Sequence, residues 1–187
     1  VNDEPYSTYS SWEIFSLSSS GILNWDSTTW TESITQYEEE FGQDLDGDGA
    51  IGFDENTLSE LATDNVGERL LLDSNNNLFI KDSGNLIQVV EDWGGPVSFS
   101  WSDIWRDGSH TVSPYAVAKT FDSAGSGSYK LAVKTEDVWI WDGTKESDSS
   151  WEVYQIGLNG IVDWSQTEYS NSITKWEPIF GQDLNGC

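Results

Sequence analysis

Apolar residues alternate with polar ones in short runs along most of this chain, and in two places the alternation gives way to a helical spacing. Trp12, Ile14 and Leu17, and far downstream Trp151, Val153 and Ile156, mark strands. Each strand is followed by a turn, around Ser20-Gly21 or Asn159-Gly160, and by a second short strand ending at Trp25 or Trp164, which together predict a hairpin. Beyond each hairpin, with Asp26 or a neighbouring Ser or Thr as cap, apolar positions recur three and four apart. They are Trp30, Ile34, Tyr37 and Phe41 in the first stretch, and Tyr169, Ile173, Trp176 and Phe180 in the second. The spacing predicts an amphipathic helix in both. Pro178 should kink or split the second, because a proline inside a helix lacks the N–H and crowds the preceding turn.

The two stretches are one unit repeated. Residues 11–47 lie on 150–186 without a gap, at an offset of 139. The matches include Trp12 with Trp151, Gly21 with Gly160, Trp25 with Trp164, Ser33-Ile34-Thr35 with Ser172-Ile173-Thr174, and Phe41-Gly42-Gln43-Asp44-Leu45 with Phe180-Gly181-Gln182-Asp183-Leu184. So long a period suits a tandem array of whole domains rather than a solenoid. Residues 1–63 then read as the C-terminal part of one repeat and 64–187 as the next.

Residues 66–149 read as short strands separated by turn clusters. Leu70–Leu72 and Leu78–Ile80 flank Ser74–Asn77, Ser83-Gly84-Asn85 turns into Leu86–Val90, and Val97, Phe99 and Trp101 alternate with serines. Tyr115–Phe121 and Tyr129–Lys134 flank a Gly- and Ser-rich turn, and Val138–Trp141 leads through Asp142-Gly143 towards Trp151. The expected fold is mainly β with short helices: an antiparallel sheet, small barrel or sandwich, joined to hairpin-helix-loop units.

Composition adds to this picture. Over 187 residues, 36% are hydrophobic, and 11 Trp, 7 Tyr and 7 Phe supply the bulk that a core needs. The formal charge of −25 argues against nucleic-acid binding and against anionic membranes, and no apolar run is long enough to predict membrane insertion. Residues 1–68 carry 16 Asp and Glu and no Lys or Arg. Such a bias serves solvation, or it serves cations. Cys187, the single cysteine, is the last residue and has no intrachain partner for a disulfide.

One motif carries chemistry. Residues 44–55, D-L-D-G-D-G-A-I-G-F-D-E, satisfy the twelve-residue EF-hand loop pattern at every position. The pattern offers Asp44, Asp46 and Asp48, the Ala50 carbonyl and a bidentate Glu55 to Ca2+, with Gly49 at the sharp turn, room for a water at Gly52, Ile51 packed inward, and a short exiting helix marked by Leu58 and Leu61. The alternative is a solvated acidic turn, but five carboxylates in twelve residues repel one another unless a cation intervenes. In the second copy the loop opens as D-L-N-G at 183–186 and lacks the later ligands. Elsewhere, Trp93, Trp101 and Trp105 form either packing surface or an aromatic platform for polysaccharide. His110, the lone histidine, has serines and aspartates nearby but no nucleophile motif, so an enzyme is not expected.

The strings W-E-V-Y-Q-I at 151–156, N-G-I-V-D-W at 159–164, S-I-T-K-W-E at 172–177 and I-F-G-Q-D-L-N-G at 179–186, preceded by N-L-F-I-K-D at 77–82, resemble the tryptophan-rich C-terminal domain family named from Synechocystis. That family occurs in large extracellular or surface proteins of bacteria. The resemblance implies an accessory repeat without an assigned reaction, located extracellularly or at the bacterial cell surface. The loop at 44–55 also resembles the calcium loops of dockerins, although its neighbour lies 139 residues away instead of close by. The expected function is a calcium-binding, non-enzymatic repeat module whose ion stiffens the junction to neighbouring repeat modules for adhesion, with polysaccharide binding as the alternative.

Overall fold

The computed structural model describes residues 11–63 and 67–184. Among them the fold is mainly β, with antiparallel sheets, two short helices and no closed barrel. The chain opens with the hairpin β1 (Trp12–Leu17) and β2 (Leu23–Thr31), then helix α1 (Thr35–Phe41) and a 3-10 turn at Glu55–Thr57. A four-stranded sheet follows in chain order: β3 (Ser59–Thr63), β4 (Arg69–Leu72), β5 (Leu78–Asp82) and β6 (Asn85–Gln88). A five-stranded meander completes the molecule, with β7 (Trp101–Trp105), β8 (Gly108–Phe121), β9 (Gly127–Trp141), β10 (Thr144–Gly157) and β11 (Val162–Ser170), before α2 (Glu177–Phe180).

The side-chain period of two sorts β8, β9 and β10 into two faces. Leu131 and Val133 of β9, Val112 and Val117 of β8, and Tyr154 and Ile156 of β10 meet Leu70, Leu72, Leu78 and Ile80 of the four-stranded sheet in one core. The opposite face is floored by Ala116, Ala118 and Ala132, on which Trp151, Val153, Ile173, Trp176, Phe180 and Leu184 pack. Small residues are needed there, because α2 and the segment after it lie directly on the strands. A bulge at Tyr115 shifts the register between Pro114 and Ala116, so that Val112 and Val117, five residues apart, face the same core. The turn from β9 to β10 has φ of 51° at Asp142 and 77° at Gly143, the signature of a tight two-residue hairpin.

The repeat extends to backbone register. In β1 and β2, Trp12 faces Thr31, Ile14 faces Thr29, and the ladder shifts before Ser16 meets Asn24. In β10 and β11, Trp151 faces Ser170, Val153 faces Glu168, and the ladder shifts before Gln155 meets Asp163, each position 139 residues on. Thr28 donates to the Trp25 carbonyl, and Thr167 to the Trp164 carbonyl, both at 3.0 Å.

Three expectations are corrected. The second strand of each hairpin is long, so Trp30 and Tyr169 lie in strands rather than on helices, and α1 starts at Thr35. Helix α2 is only Glu177–Phe180, with Pro178 in its first turn, where a missing N–H costs no helical bond. No helix follows the 3-10 turn: Ser59–Thr63 pairs with β4, with Ser59 opposite Leu72, because ladder hydrogen bonds and the packing of Ala62 on the core outweigh the Leu58/Leu61 spacing. Strand β3 thus lies before the expected boundary at 63/64 and completes a sheet lying after it.

The two sheets are also joined by charge. Buried Asp82, at the end of β5, accepts from Lys119 Nζ at 2.6 Å and from the Tyr129 hydroxyl at 2.8 Å. The Lys119 hydrogen bond, helped by Tyr129 and opposed by burial, holds the Asp82 carboxyl below its usual range, and burial together with Asp82 pushes the Tyr129 phenol up. A lowered carboxylate stabilises the fold above the unfolded-state value, and this contribution fades as pH falls through the folded-state value. Asp82→Asn should therefore cost about 2 kcal/mol in urea unfolding at pH 7, and the deficit relative to the parent chain should shrink at pH 3.

Candidate metal centre

The acidic loop starts where α1 stops. Gly42 ends the helix in the left-handed region, at φ 63°, and its N–H returns to the Glu38 carbonyl. Each aspartate then folds the backbone around its own carboxylate. Asp44 accepts from the N–H groups of Gly47 at 2.6 Å and Gly49 at 2.9 Å, Asp46 from that of Asp48 at 3.0 Å, and Asp48 from that of Ala50 at 2.8 Å. The remaining Asp46 oxygen accepts from the Thr35 hydroxyl at 2.6 Å, tying the loop to the start of α1. Gly47 and Gly49, at φ 81° and 94°, supply a conformation that other residues adopt at a cost.

Glu38 organises the whole loop, and the motif does not contain it. Its side chain is fully buried, and its carboxylate accepts from Leu45 N–H at 2.7 Å, Asp46 N–H at 3.0 Å and Gly52 N–H at 2.9 Å. Carboxylate oxygens of Glu38, Asp44 and Asp46 all lie within 4.8 Å of one another. The repeat held the signal for this residue: Glu38 falls on Glu177, whereas Glu39 and Glu40 fall on Pro178 and Ile179. The second copy even keeps one of the bonds, with Leu184 N–H donating to Glu177 Oε1 at 3.2 Å.

Glu55, expected as the bidentate ligand, is placed elsewhere. One of its carboxylate oxygens pairs with Arg69 and the other with Lys81. The Lys81 hydrogen bond leads the causes that hold the Glu55 carboxyl below the usual range. Arg69 also pairs with Glu60 at 3.0 Å, so these two cations secure the end of the loop to β4 and β5. Ile51 is exposed rather than packed inward; the ring that anchors the loop is Phe53, edge-on to Phe79 at 4.8 Å. Between loop and sheet lies a cavity of about 610 Å³ lined by Asp46, Asp48, Asp54 and Asp73.

This donor set is made of oxygen alone, which suits a hard cation. The three converging carboxylates and the nearby Asp48 fit Ca2+ in charge and ligand type. The Ala50 carbonyl belongs to the same turn. In the second copy, Asn185–Cys187 lie outside the described residues, so the later part of that loop has no structural account.

Among the described residues no ring contact joins the three tryptophans to one another. Trp93 lies over Gly95 and Trp105 over Gly108, while Trp101 stacks on His110 at 4.8 Å. Trp101 lines a cleft of about 490 Å³ with Phe99, His110, Tyr154, Trp164 and Glu91. Trp164 Nε1 donates to Glu91 at 2.7 Å, and His110 Nδ1 lies 2.6 Å from Asp137 across the β8–β9 ladder. No serine hydroxyl hydrogen-bonds to His110 among the described residues. Tyr154 and Trp164 meet edge-to-face at 5.5 Å, as Phe15 and Trp25 do at 5.7 Å one repeat earlier.

No family model matches this chain, and neither a curated protein nor a solved structure does.

Replacing Glu38 by Gln turns one of its two acceptor oxygens into an NH2 donor, so the N–H groups of Leu45 and Asp46 on Oε1 and of Gly52 on Oε2 cannot all keep an acceptor. Glu38→Gln should lower unfolding stability by about 2 kcal/mol, and Glu39→Gln, at an exposed neighbour, by less than about 0.5 kcal/mol. Urea denaturation of the two variants checks the difference.

Proposed function

We propose that this chain is a calcium-binding, non-enzymatic repeat module of a secreted or cell-surface bacterial protein. The observation that carries the reading is the convergence of Glu38, Asp44 and Asp46 in a loop suspended between the helix of one repeat and the sheet of the next. The resemblance to the tryptophan-rich repeat family supports the same placement. Ca2+ neutralises carboxylates that otherwise repel one another, and it locks α1 to the loop. Glu55 ties the far end of that loop to β4 and β5 through Arg69 and Lys81, so fixing the loop fixes the angle between helix and sheet. Because the ion binds the folded form, it adds stability as RT ln(1 + [L]/Kd), about 2.7 kcal/mol at a hundredfold excess over Kd. Millimolar calcium suffices even for a weak loop.

A second reading rests on the aromatic cleft. Trp101 and Trp164 are half exposed above buried Phe99 and Tyr154, with the Glu91 and Glu152 carboxylates at the edge. Flat apolar rings beside acceptors suit the stacking of a sugar ring, and polysaccharide would bind here rather than at Trp93 or Trp105. Polysaccharide that quenches tryptophan fluorescence of the parent chain but not of Trp101→Ala would support this reading.

The calcium reading is tested by thermal melts in EDTA and in millimolar calcium. Calcium should raise the midpoint by several degrees, and Asp44→Asn combined with Asp46→Asn should abolish the rise. Glu55→Gln should lower the midpoint in both buffers and keep the rise. A midpoint indifferent to calcium would overturn the proposal, and a rise lost with Glu55→Gln would transfer Glu55 from the cations to the ion.

A further inference from the structure

Two copies of one unit are present, and they are buried to different extents. In the second copy Trp151 is 5% exposed and Phe180 1%; their first-copy equivalents Trp12 and Phe41 are 38% and 50% exposed. Tyr37, equivalent to buried Trp176, is half-buried. The hairpin registers are the same and the helices end on equivalent left-handed glycines, Gly42 and Gly181, so the units share their hairpin and helix end, although α1 starts at Thr35 and α2 only at Glu177, the equivalent of Glu38. They differ in what they lie on. Strand β10 pairs with β9 from Thr144 to Gly157, and Trp151, Trp176 and Phe180 rest on the floor of Ala116, Ala118 and Ala132. Strand β1 pairs with β2 alone among the described residues, and no alanine floor lies beneath it.

We infer that the outer edge of β1 and the apolar face shared by Trp12, Tyr37 and Phe41 dock on a β-ribbon of the β8–β9 kind, supplied by another repeat unit. The ribbon adds a strand to β1 as β9 does to β10, and its small residues accept the large rings. Charge favours the same occupant. Strands β8 and β9 carry Lys119, Lys130 and Lys134 against Glu136 and Asp137, a small cationic excess, and Lys134 sits 5.8 Å from the centre of the Trp151 ring, while the β1–β2 unit belongs to the 68 residues that contain acids and no Lys or Arg. A second copy of this chain is a poor donor, because its β9 is already paired along both edges, with β8 and with β10. The inference shares the repeat with the proposed function but requires no calcium, so each fails separately.

The test uses the full chain with an additional copy of residues 108–139 fused directly ahead of Val1, the position that the repeat assigns to residue 140. Hydrogen exchange is followed in peptides covering 12–17, in EDTA and in calcium. Protection of β1 should rise roughly 100-fold or more over the unfused chain in both buffers, and emission from exposed tryptophan should shift to the blue. Changing the equivalents of Ala116 and Ala132 to Trp in the fused copy alone should abolish both effects. Unchanged exchange in β1 overturns the inference, whether or not the added ribbon folds. Equal protection by the alanine and tryptophan ribbons overturns the floor. If the unfused chain instead protects β1 by dimerising in sedimentation at micromolar concentration, the occupant is a second copy and the inference falls.

Discussion

The structure depends on one strand that is bonded along both edges and packed on both faces. Strand β9 pairs with β8 and with β10 over nearly its full length, and its buried side chains divide between a core, with Tyr129, Leu131 and Val133, and a floor of alanine, with Ala132. The division decides what each side can hold. Leu131 and Val133 fill the gap to a second sheet, for which a spacing of about 10 Å leaves room. Ala132, with Ala116 and Ala118 of β8, keeps the other face low, so that Trp151, Trp176 and Phe180 lie flat against the sheet. Exchanging the faces would leave a void on one side and a clash on the other, which is why a one-residue slip of register is not tolerated here.

Charge is the second constraint, and it acts locally. A chain with 33 acids and 8 basic residues repels itself, and the fold places three of its cations, Arg69, Lys81 and Lys119, at seams. Arg69 and Lys81 meet Glu55 and Glu60 where the acidic first part joins the four-stranded sheet, and Lys119 meets Asp82 between the two sheets. At the loop, among the described residues, no Lys or Arg pairs with Asp44, Asp46 or Asp48. There the carboxylates are held by backbone N–H groups, with Glu38 buried as an acceptor for three of them. Hydrogen bonds of this kind orient carboxylates without neutralising them.

The sequence made the β class, the hairpins and the repeat legible because those depend on local alternation and on turn residues. Asp142-Gly143 and Ser20-Gly21 needed nothing beyond their neighbours. Helix limits were less legible: Trp30 and Tyr169 fit a helical stripe by spacing, yet strand pairing extends through them, and ladder bonds to a partner cannot be read from spacing. The same holds for β3, whose identity depends on β4. At the loop, the motif located Asp44, Asp46 and Asp48 but assigned Glu55 by analogy with a helix-loop-helix. Here a strand leaves the loop, and two cations from that strand's sheet, at Arg69 and Lys81, take Glu55. Glu38 was visible only through the repeat, as the acid kept when its two neighbours changed.

Helix α1 links these features. With seven residues it is too short to be stable alone, since isolated helices below about 12 residues are marginal in water. Its C-terminal end is fixed by Glu38 and the acidic loop, and its start is fixed by Thr35 bonding Asp46. Its apolar side is only partly covered among the described residues, with Ile34 buried, Tyr37 half-buried and Phe41 exposed. Helix α2 is shorter still, and it persists because Trp176 and Phe180 rest on alanine. The two copies therefore show two supports for one element, a folded acidic loop in the first and a sheet in the second. A cation in the loop and a ribbon beneath the rings would act on the same helix from opposite sides. Each would reduce the motion that the other must suppress.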